Sequence, residues 1–365
     1  MKIICTRQNL IQGVSTSQRA VSTKNPLPIL SGILLTATNN QLELKGTDLE
    51  MGIQCIIPCT VQEEGSIVLP AKYLGEIVRR LPDTPIQIET QEGVNVVIRY
   101  GQSEITINGF SAEEFPGFPN PQGKNSIIIA EEDLKEHLRQ ILFATSPDEN
   151  RPVFTGVLLE AAEGTIKLVA TDTHRLALKE INASSELQET NVIIPGKTLN
   201  ELARVIGAAD KNVTISIGDN QIIFGMEDTL FISRLIDGQF PNYRQVVPQG
   251  YKTRIRLKTK ELLEAVERAS LLARVGTQII RLSIEEEKII ITANTEVGRI
   301  HEEVAVYLQG DTMQIAFNAL YLIDALRAIG SDDIYLDLSG PLSPGILRPV
   351  EGDDYLSLVL PVRTI

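Results

Sequence analysis

Three words recur along this chain at nearly constant spacing, and this repetition limits the fold more than any other feature of the sequence. The first word reads LELKGTDLEMGI from Leu42, IKLVATDTHRLA from Ile166 and IIITANTEVGRI from Ile289. The second word reads LPAKYLGEIVRRL, IPGKTLNELARVI and AFNALYLIDALRAI. Because both words return in one register after about 120 to 125 residues, the sequence predicts three copies of one structural unit.

A third word marks the junctions between the copies. EFPGFPNPQG and QFPNYRQVVPQG place Phe115-Pro116 and Phe240-Pro241 at matching positions. Both segments are rich in Pro and Gly, which is typical of linkers. The sequence therefore predicts three domains, at residues 1–122, 123–248 and 249–365.

Each copy combines helical and strand patterns. Apolar residues recur three and four positions apart in the helical segments, as in Leu134, Leu138, Ile141 and Leu142. Segments such as IQIET, VNVVIRY and VTISIG are short and β-branched, with Gly or Asn at the turns. We expect an α+β fold, with antiparallel sheets and helices confined to one side of each sheet. The predicted helices are 7–20, 71–81, 131–143, 196–206, 259–275 and 318–329.

The composition excludes several classes of protein. In 365 residues, of which 43% are hydrophobic, there is no apolar run near the roughly 18 residues of a membrane span. The start, MKIICTRQNL, lacks the apolar core of a signal peptide, which predicts a cytoplasmic protein. Cys5, Cys55 and Cys59 have no second cysteine or histidine pair to complete a zinc site, so we expect buried free thiols. Without a glycine-rich phosphate loop or a zinc-protease motif, no cofactor or metal is expected.

The charge is unfavourable for broad binding to nucleic acid. The formal net charge is −13, whereas binding to phosphates is driven by Lys and Arg. The predicted helices nevertheless carry a small net positive charge within this acidic chain. A role on DNA would need such a local basic face, which would contact phosphates without reading bases. Helix surfaces that are simply solvated by Lys and Arg would give the same pattern.

The stretch LVATDTHRLALKE gathers Asp172, His174 and Arg175 in a chain with three histidines. Thr171 or Thr173 beside His174 would superficially supply a nucleophile and a base, so a hydrolase is one alternative. Alternating apolar residues on both sides predict instead a pair of strands joined by a turn at residues 171–175. Asp in such a turn usually accepts hydrogen bonds from nearby backbone amides. This interpretation leaves His174 and Arg175 unexplained.

Taken together, the words LPILSGILL, GTDLEMGI, ATDTHRLA, RLIDGQFPNYRQVVP and the terminal LPVR closely resemble the bacterial DNA polymerase III beta subunit family, the replicative sliding clamps. The resemblance covers the whole chain. It implies a head-to-tail homodimer that closes as a ring around duplex DNA, with helices lining the hole and sheets outside. It also implies a processivity factor without catalysis of its own.

In this family the turn at 171–176 lines a groove for short linear peptides. The resemblance implies that these peptides come from the polymerase III alpha subunit, the clamp loader, other DNA polymerases, mismatch-repair proteins and ligase. Thr173 and Gln245 differ from the residues expected in the family, which bears on the specificity of the groove. The implied groove residues are Phe154, Thr171, Thr173, His174, Arg175, Leu176, Pro241, Val246, Asn318, Tyr321, Leu342, Ser343, Pro344, Leu360, Pro361, Val362 and Arg363.

The resemblance also suggests residues for the other two surfaces of a clamp. For the subunit interface it implies Ile105 and Ile107 of one subunit against Leu271 and Leu272 of the other. A purely structural repeat protein that does not act on DNA is a further alternative, which retention on circular DNA would test. The residues expected to face DNA are Arg19, Lys24, Arg79, Arg80, Arg139, Arg151, Lys197 and Arg204.

Overall fold

A computed structural model describes residues 1–22, 27–118, 125–182, 189–207, 209–273 and 277–363. Every α-helix in these ranges begins within one residue of a predicted helix. The segment predicted at 7–20 ends as a 3-10 turn, and the segment predicted at 196–206 is α-helical only to Ala203. The helices are α1 (Arg7–Ser17), α2 (Ala71–Arg80), α3 (Glu131–Leu142), α4 (Gly196–Ala203), α5 (Thr259–Ala273) and α6 (Ala319–Ala328).

The strands are short, and every pairing between them is antiparallel. Those in the first half of the chain are β1 (Lys2–Cys5), β2 (Gly32–Thr38), β3 (Gln41–Thr47), β4 (Met51–Pro58), β5 (Thr60–Glu63), β6 (Gly65–Pro70), β7 (Ile86–Thr90), β8 (Asn95–Tyr100), β9 (Ser103–Asn108), β10 (Asn125–Ala130), β11 (Gly156–Ala162), β12 (Thr165–Thr171) and β13 (Arg175–Asn182). Those in the second half are β14 (Thr190–Pro195), β15 (Asn212–Ile217), β16 (Gln221–Gly225), β17 (Thr229–Arg234), β18 (Thr253–Lys258), β19 (Ile279–Ile284), β20 (Lys288–Thr295), β21 (Gly298–Ala305), β22 (Tyr307–Gly310), β23 (Met313–Asn318), β24 (Asp333–Leu338), β25 (Gly345–Pro349) and β26 (Tyr355–Val359).

The first of two compact units comprises Met1–Leu134 and Glu201–Leu235. It contains a five-stranded sheet in the order β5-β1-β7-β8-β9 and an eight-stranded sheet in the order β10-β15-β16-β17-β4-β3-β2-β6. The eight-stranded sheet crosses from one repeat to the next where Ile53 of β4 pairs with Phe231 of β17. The first and second repeats therefore share one hydrogen-bonded sheet.

The second unit comprises Lys135–Asn200 and Ile236–Ile365. Its nine-stranded sheet has the order β14-β11-β12-β13-β26-β25-β24-β18-β22, and its four-stranded sheet has the order β21-β20-β19-β23. The larger sheet joins the second and third repeats where Leu176 of β13 pairs with Leu358 of β26. Each large sheet thus combines strands of two neighbouring repeats.

The helices pack by their apolar faces, as the periodicity predicts. Leu10 and Val14 of α1 and Leu74 and Val78 of α2 are buried in one core with the sheet residues of the first repeat. A Cβ at Gly13 would lie 2.7 Å from Leu44 Cδ1, so glycine is what lets α1 approach β3 this closely. The α+β architecture with antiparallel sheets is confirmed. The predicted limit at 122/123 lies outside the described residues, and the limit at 248/249 stays a prediction.

The same hairpin turn is built in the first and second repeats. Thr47 Oγ1 donates to the Met51 carbonyl at 2.8 Å, and Thr171 Oγ1 donates to the Arg175 carbonyl at 2.7 Å. The third residue of each turn has a left-handed backbone, with φ 78° at Leu49 and 79° at Thr173. The third repeat departs from this pattern. There β20 and β21 pair up to Thr295 and Gly298, and Ala293-Asn294, which match the Thr-Asp words, lie inside β20.

Strands β12 and β13 are buried on both faces, so the alternation expected around the turn is incomplete. Val169 and Ala177 lie between the alternating apolar residues of their strands, and they are fully buried like those neighbours. The reason is that Tyr243, Phe240 and Val247, in the segment predicted to be a linker, pack against the apolar cluster formed by these strands. This segment is therefore part of the core as well as a connection.

All three cysteines are free thiols. Cys5 and Cys55 are buried, as predicted. The prediction was wrong for Cys59, which is only half-buried. Cys59 lies immediately before β5, a strand at the end of its sheet, where less of the surrounding chain covers it.

Burial of Cys5 should make stability fall at alkaline pH. Burial, with a contribution from Cys59, raises the pKa of the Cys5 thiol from 9.0 to about 12. Between these pH values the thiol is deprotonated in the unfolded chain and still protonated in the folded chain. The contribution of the protonated Cys5 to folding stability is therefore fully present below pH 9 and is lost as the pH rises towards 12. The free energy of unfolding should fall by up to about 1.4 kcal/mol per pH unit in this window.

Urea denaturation at pH 8 and at pH 10.5 measures this effect. The Cys5→Ala variant should lose less stability between the two pH values than the unsubstituted protein. The Cys59→Ala variant is the matched control and should show a smaller difference, since that thiol is less buried. Identical pH dependence of the Cys5→Ala variant and the unsubstituted protein would contradict the prediction.

Candidate functional site

A cleft of about 210 Å³ in the second unit brings together residues from four separate parts of the chain. We call it the peptide groove, after the role that the resemblance implies for these residues. Nine of its lining residues are among those that the resemblance implies: Phe154, Thr171, Thr173, His174, Arg175, Leu176, Pro241, Val246 and Leu360. Sequence reasoning missed Asn242, Tyr243 and Leu358, which also line it.

Asp172 holds the turn that forms one wall of the groove. Its Oδ1 accepts hydrogen bonds from the backbone amides of His174 and Arg175, both at 2.9 Å. Its Oδ2 accepts from the Arg175 Nε at 3.0 Å. The carboxylate thus satisfies two amides of the tight turn and a side chain at once, which confirms Asp172 as a turn-forming residue.

Arg175 is a structural cation at the base of the turn. Its side chain is only 12% exposed and pairs with both Asp172 and Asp324, the latter at 2.6 Å. Its guanidinium also lies 4.7 Å from the ring centroid of Tyr321 and 5.4 Å from that of Phe143. Two carboxylates compensate the desolvation of this charge, and two rings cover the guanidinium. These contacts fix the position of the turn relative to α6.

His174 presents its ring beside an aromatic surface. The ring stacks on Tyr321 with a centroid distance of 5.8 Å and an interplanar angle of 17°. Its backbone carbonyl accepts a hydrogen bond from the Leu360 amide at 2.8 Å. This bond ties the chain after β26 to the turn and brings the Leu360 side chain to the wall of the groove. Leu360 stays 36% exposed and so remains available for contact.

Tyr243 forms the floor of the groove from the linker. It is 4% exposed, and its hydroxyl donates to Glu160 Oε2 at 2.7 Å. Burial and this carboxylate raise the pKa of the phenol well above its ordinary value, so the hydroxyl remains a donor. Arg244 pairs with the same carboxylate oxygen at 2.7 Å. Tyr243 lies two residues after Pro241 inside a repeated word, and this position could have indicated that it lines the groove.

The other predicted groove residues do not line this cleft. Tyr321 adjoins it through His174 and Arg175. Asn318 instead caps α6, with its side-chain oxygen accepting from the Leu320 amide at 2.9 Å. The Val362 amide donates to the Ala316 carbonyl at 2.8 Å, which places the terminal segment along β23. The remaining residues that lie outside the cleft lining are Leu342, Ser343, Pro344, Pro361 and Arg363.

The geometry around His174 is not that of a hydrolase. Both oxygens of Asp172 are engaged by backbone amides and by Arg175, and neither is hydrogen-bonded to the imidazole. The Thr171 hydroxyl donates to a backbone carbonyl, not to the ring. The hydrogen-bonded chain of nucleophile, base and orienting group that a hydrolase needs is thus not assembled at this histidine.

Most arginines expected to face DNA are paired with carboxylates of their own unit. Glu201 holds Arg19 at 2.9 Å and Arg204 at 2.6 Å. Arg80 pairs with Glu76 at 3.6 Å. The guanidinium charges are thereby partly neutralised, which weakens any contact they make with phosphates.

The remaining candidates for DNA contact differ in their partners. Arg139 donates to Glu136 at 2.7 Å, and Arg151 donates to Asp148 at 2.8 Å. Arg79 uses its Nε to bond the Gly75 carbonyl at 2.9 Å, and its side chain is exposed. Lys197 is exposed on α4, whereas Lys24 lies outside the described residues.

The residues expected at a subunit interface lie on or beside sheet edges. Ile105 and Ile107 belong to β9, the last strand of the five-stranded sheet. Leu271 is 65% exposed on α5, and Leu272 is half-buried beside it. In the second unit, β21 is the last strand of the four-stranded sheet. Unpaired edges next to exposed leucine are typical of surfaces that another chain covers.

Two other kinds of site are absent from the described ranges. No cluster of three or more His, Cys, Asp or Glu side chains there is arranged to hold a metal ion. None of the helices described has the length and apolar character that crossing a bilayer would require.

Comparison with known proteins identifies the family of this chain. Sequence models of the N-terminal, central and C-terminal domains of the DNA polymerase III beta subunit match residues 1–119, 128–242 and 244–363. The beta sliding clamps of Halalkalibacterium halodurans and Bacillus subtilis are 37% and 36% identical, and each alignment covers 100% of both chains.

Solved structures agree as well. The DNA polymerase sliding clamp of Bacillus subtilis superposes with a TM-score of 0.97 at 35% identity, over 100% of both chains. The DNA polymerase III beta subunit of Pseudomonas aeruginosa gives 0.94 at 32% identity, again over 100% of both chains. These similarities run the length of the sequence and include all three domains, so this chain belongs to the DNA polymerase III beta subunit family, the bacterial beta sliding clamps.

Proposed function

We propose that the peptide groove is the site at which this DNA sliding clamp holds its partner proteins by short linear peptides. The observation that carries this proposal is an open apolar cleft walled by the turn, the linker and the terminal segment. A backbone hydrogen bond joins the terminal segment to the turn, and the Tyr243 hydroxyl joins the linker to Glu160 of β11. Such a cleft suits an extended peptide with a few apolar anchors, while the polar rim fixes its orientation.

The partners follow from membership of the family. As a sliding clamp of DNA polymerase III, the chain works with DNA and polymerase as a processivity factor and not as a catalyst. Within this role we propose the polymerase III alpha subunit, the clamp loader, other DNA polymerases, mismatch-repair proteins and ligase as the sources of peptides. The proposal also places the protein in the cytoplasm, with domains at 1–122, 123–248 and 249–365.

The homodimer of the family requires an interface, and we propose that two sheet edges supply it. Strand β9 of one subunit would pair with β21 of the other, with Ile105 and Ile107 facing Leu271 and Leu272. The five-stranded and four-stranded sheets would then become one sheet of nine strands, the size of the sheet that already joins the second and third repeats. This pairing would give hydrogen-bond partners to the unpaired backbone N–H and C=O groups of both edges.

We propose that the closed ring holds DNA by topology and not by affinity. The charge of −13 and the carboxylate partners of Arg19, Arg80, Arg139 and Arg204 support weak direct binding. Arg79, Arg151, Lys24 and Lys197 complete the proposed DNA-facing set. Each phosphate contact that is missing reduces both the affinity and its salt dependence.

The expected result is retention that depends on the shape of the DNA. Clamp assembled by the loader on a nicked circular plasmid should co-elute with the plasmid in gel filtration. Linearising the plasmid should release the clamp, since an open end allows a ring to slide off. Equal retention on circular and linear DNA would contradict topological binding and indicate direct affinity instead.

A further inference from the structure

A second cleft, which we call the first-repeat cleft, lies in the first unit and has a volume of about 120 Å³. Every residue that lines it, except Gln221, corresponds in the repeat register to a residue that lines the peptide groove. The correspondence extends to the linker, where Pro116 and Phe118 stand for Pro241 and Tyr243. The lining residues are Thr47, Leu49, Glu50, Met51, Gly52, Pro116, Gly117, Phe118, Gln221, Ile232 and Arg234.

The two clefts share one backbone frame. Asp48 accepts from the amides of Glu50 and Met51 at 3.1 and 2.8 Å, as Asp172 does from the two amides of its own turn. The Arg234 amide donates to the Glu50 carbonyl at 2.9 Å, as the Leu360 amide does to the His174 carbonyl. The two clefts therefore share the same walls and the same hydrogen bonds between them, in addition to the similar sequence words.

The side chains on this frame differ in charge and size. Glu50 and Met51 replace His174 and Arg175, so the buried cation of the peptide groove is missing here. Gly52 replaces Leu176, and the Phe118 ring occupies the freed space, 2.9 Å from where a Cβ of residue 52 would lie.

Arg234 gives the first-repeat cleft a charge that the peptide groove lacks at the same position. Its side chain is exposed, whereas Leu360 stands there in the other cleft. Within the part of the chain that the structure describes, no carboxylate lies within ion-pair distance of the Arg234 guanidinium. An anionic group on a ligand could pair with it without displacing an internal partner.

Leu49 presents an exposed apolar side chain at the tip of the turn that both clefts share. It is 48% exposed although it is leucine, and its φ of 78° is a conformation that residues with a branched side chain seldom adopt. The leucine side chain lines the cleft beside the unpaired arginine.

We propose that the first-repeat cleft is a second site for short peptides, selective for one aliphatic side chain next to a carboxylate. At about 120 Å³ it is well below the volume of small-molecule sites, so it fits a side chain and not a cofactor. The aliphatic group would pack against Leu49 and Ile232, and the carboxylate would pair with Arg234. The inference rests on the proposed peptide-binding role of the peptide groove, whose frame this cleft repeats.

Methionine-methyl NMR of the full-length dimer tests the proposal. The chain has four methionines, and Met51 lines the first-repeat cleft, so its resonance, assigned with a Met51→Leu variant, reports on this site alone. The probes are the blocked dipeptides acetyl-Leu-Asp-amide and acetyl-Asp-Leu-amide. At least one should shift the Met51 signal in a saturable way. The neutral acetyl-Leu-Asn-amide should bind about threefold to fivefold more weakly, in the upper part of the range that one exposed ion pair gives.

Three variants separate this proposal from the proposed function. Arg234→Gln should weaken the acidic probe by the same factor, and the matched control Arg281→Gln, an exposed arginine on β19, should not. Deleting residues 360–365 removes a wall of the peptide groove and should leave the Met51 shift intact. No Met51 shift, or a shift lost on that deletion, would overturn the second site. If the deletion leaves binding of a polymerase peptide unchanged, the proposed function fails whatever Met51 reports.

Discussion

A chain that ends at Val359 should bind a polymerase-derived peptide about a hundredfold more weakly than the full-length protein. The deletion removes Leu360 from the wall of the peptide groove, together with the hydrogen bond from its amide to the His174 carbonyl. It also removes the bond from the Val362 amide to the Ala316 carbonyl, which holds the terminal segment along β23. Loss of a buried anchor contact typically costs 2 kcal/mol or more, and each 1.4 kcal/mol is a factor of ten.

Fluorescence anisotropy with a labelled peptide from the polymerase alpha subunit measures this loss. The Leu360→Met variant keeps the volume of the side chain and serves as the matched control, with affinity close to that of the full chain. Sedimentation should show that the truncated protein is still a dimer, since β9, β21 and α5 are untouched. Unchanged peptide affinity after truncation would show that the assignment of the groove is wrong.

The double change Leu271→Ala and Leu272→Ala should convert the dimer into folded monomers. Leu271 is largely exposed in the single chain, so its burial in a dimer contributes to association and little to folding. Two leucines truncated at one interface, at about 2 kcal/mol each, weaken association about a thousandfold. A ring of two subunits has two such interfaces, and the substitutions weaken both of them.

Sedimentation velocity detects the change in mass, and circular dichroism shows whether the monomer stays folded. The Leu271→Met and Leu272→Met double variant retains apolar volume and should remain a dimer. If the alanine variant still sediments as a dimer, the subunits meet at another surface. A dimer that persists would also remove the basis for pairing β9 with β21.

Local patterns in the sequence were sufficient to predict the helices and the turn. Apolar residues at helical spacing predict α2, where Leu74 and Val78 are buried, because a helix must bury one face. Asp172 was predicted as a turn residue because its side chain can satisfy amides two and three positions on. Helix α4 is shorter than predicted because its last turn changes to 3-10 bonds, as in Val205 to Leu202, before Gly207 with φ 126°.

Long-range pairings were beyond local reasoning. Nothing in the spacing of Ile53 or Phe231 indicates that they pair across a repeat boundary, because strand partners are selected by the whole sheet. Leu358 entered the peptide groove for the same reason, through the pairing of β26 with β13. The resemblance identified the turn and Leu360, but side chains such as Leu342 and Ser343 lie outside the cleft lining that the fold forms.

Sharing of sheets between repeats also determines the order in which this chain can fold as it is synthesised. Strand β4 has its neighbour β17 some 175 residues further on, so the eight-stranded sheet is incomplete until residue 234 has left the ribosome. By then Lys135–Asn200, which belong to the other compact unit, have already emerged without their partners from β18 onward. Until then the open edge of β4 is exposed to pairing with other nascent chains. Repeats that look independent in the sequence are thus obliged to fold in overlapping order, and a chain interrupted after its first repeat would be prone to aggregate.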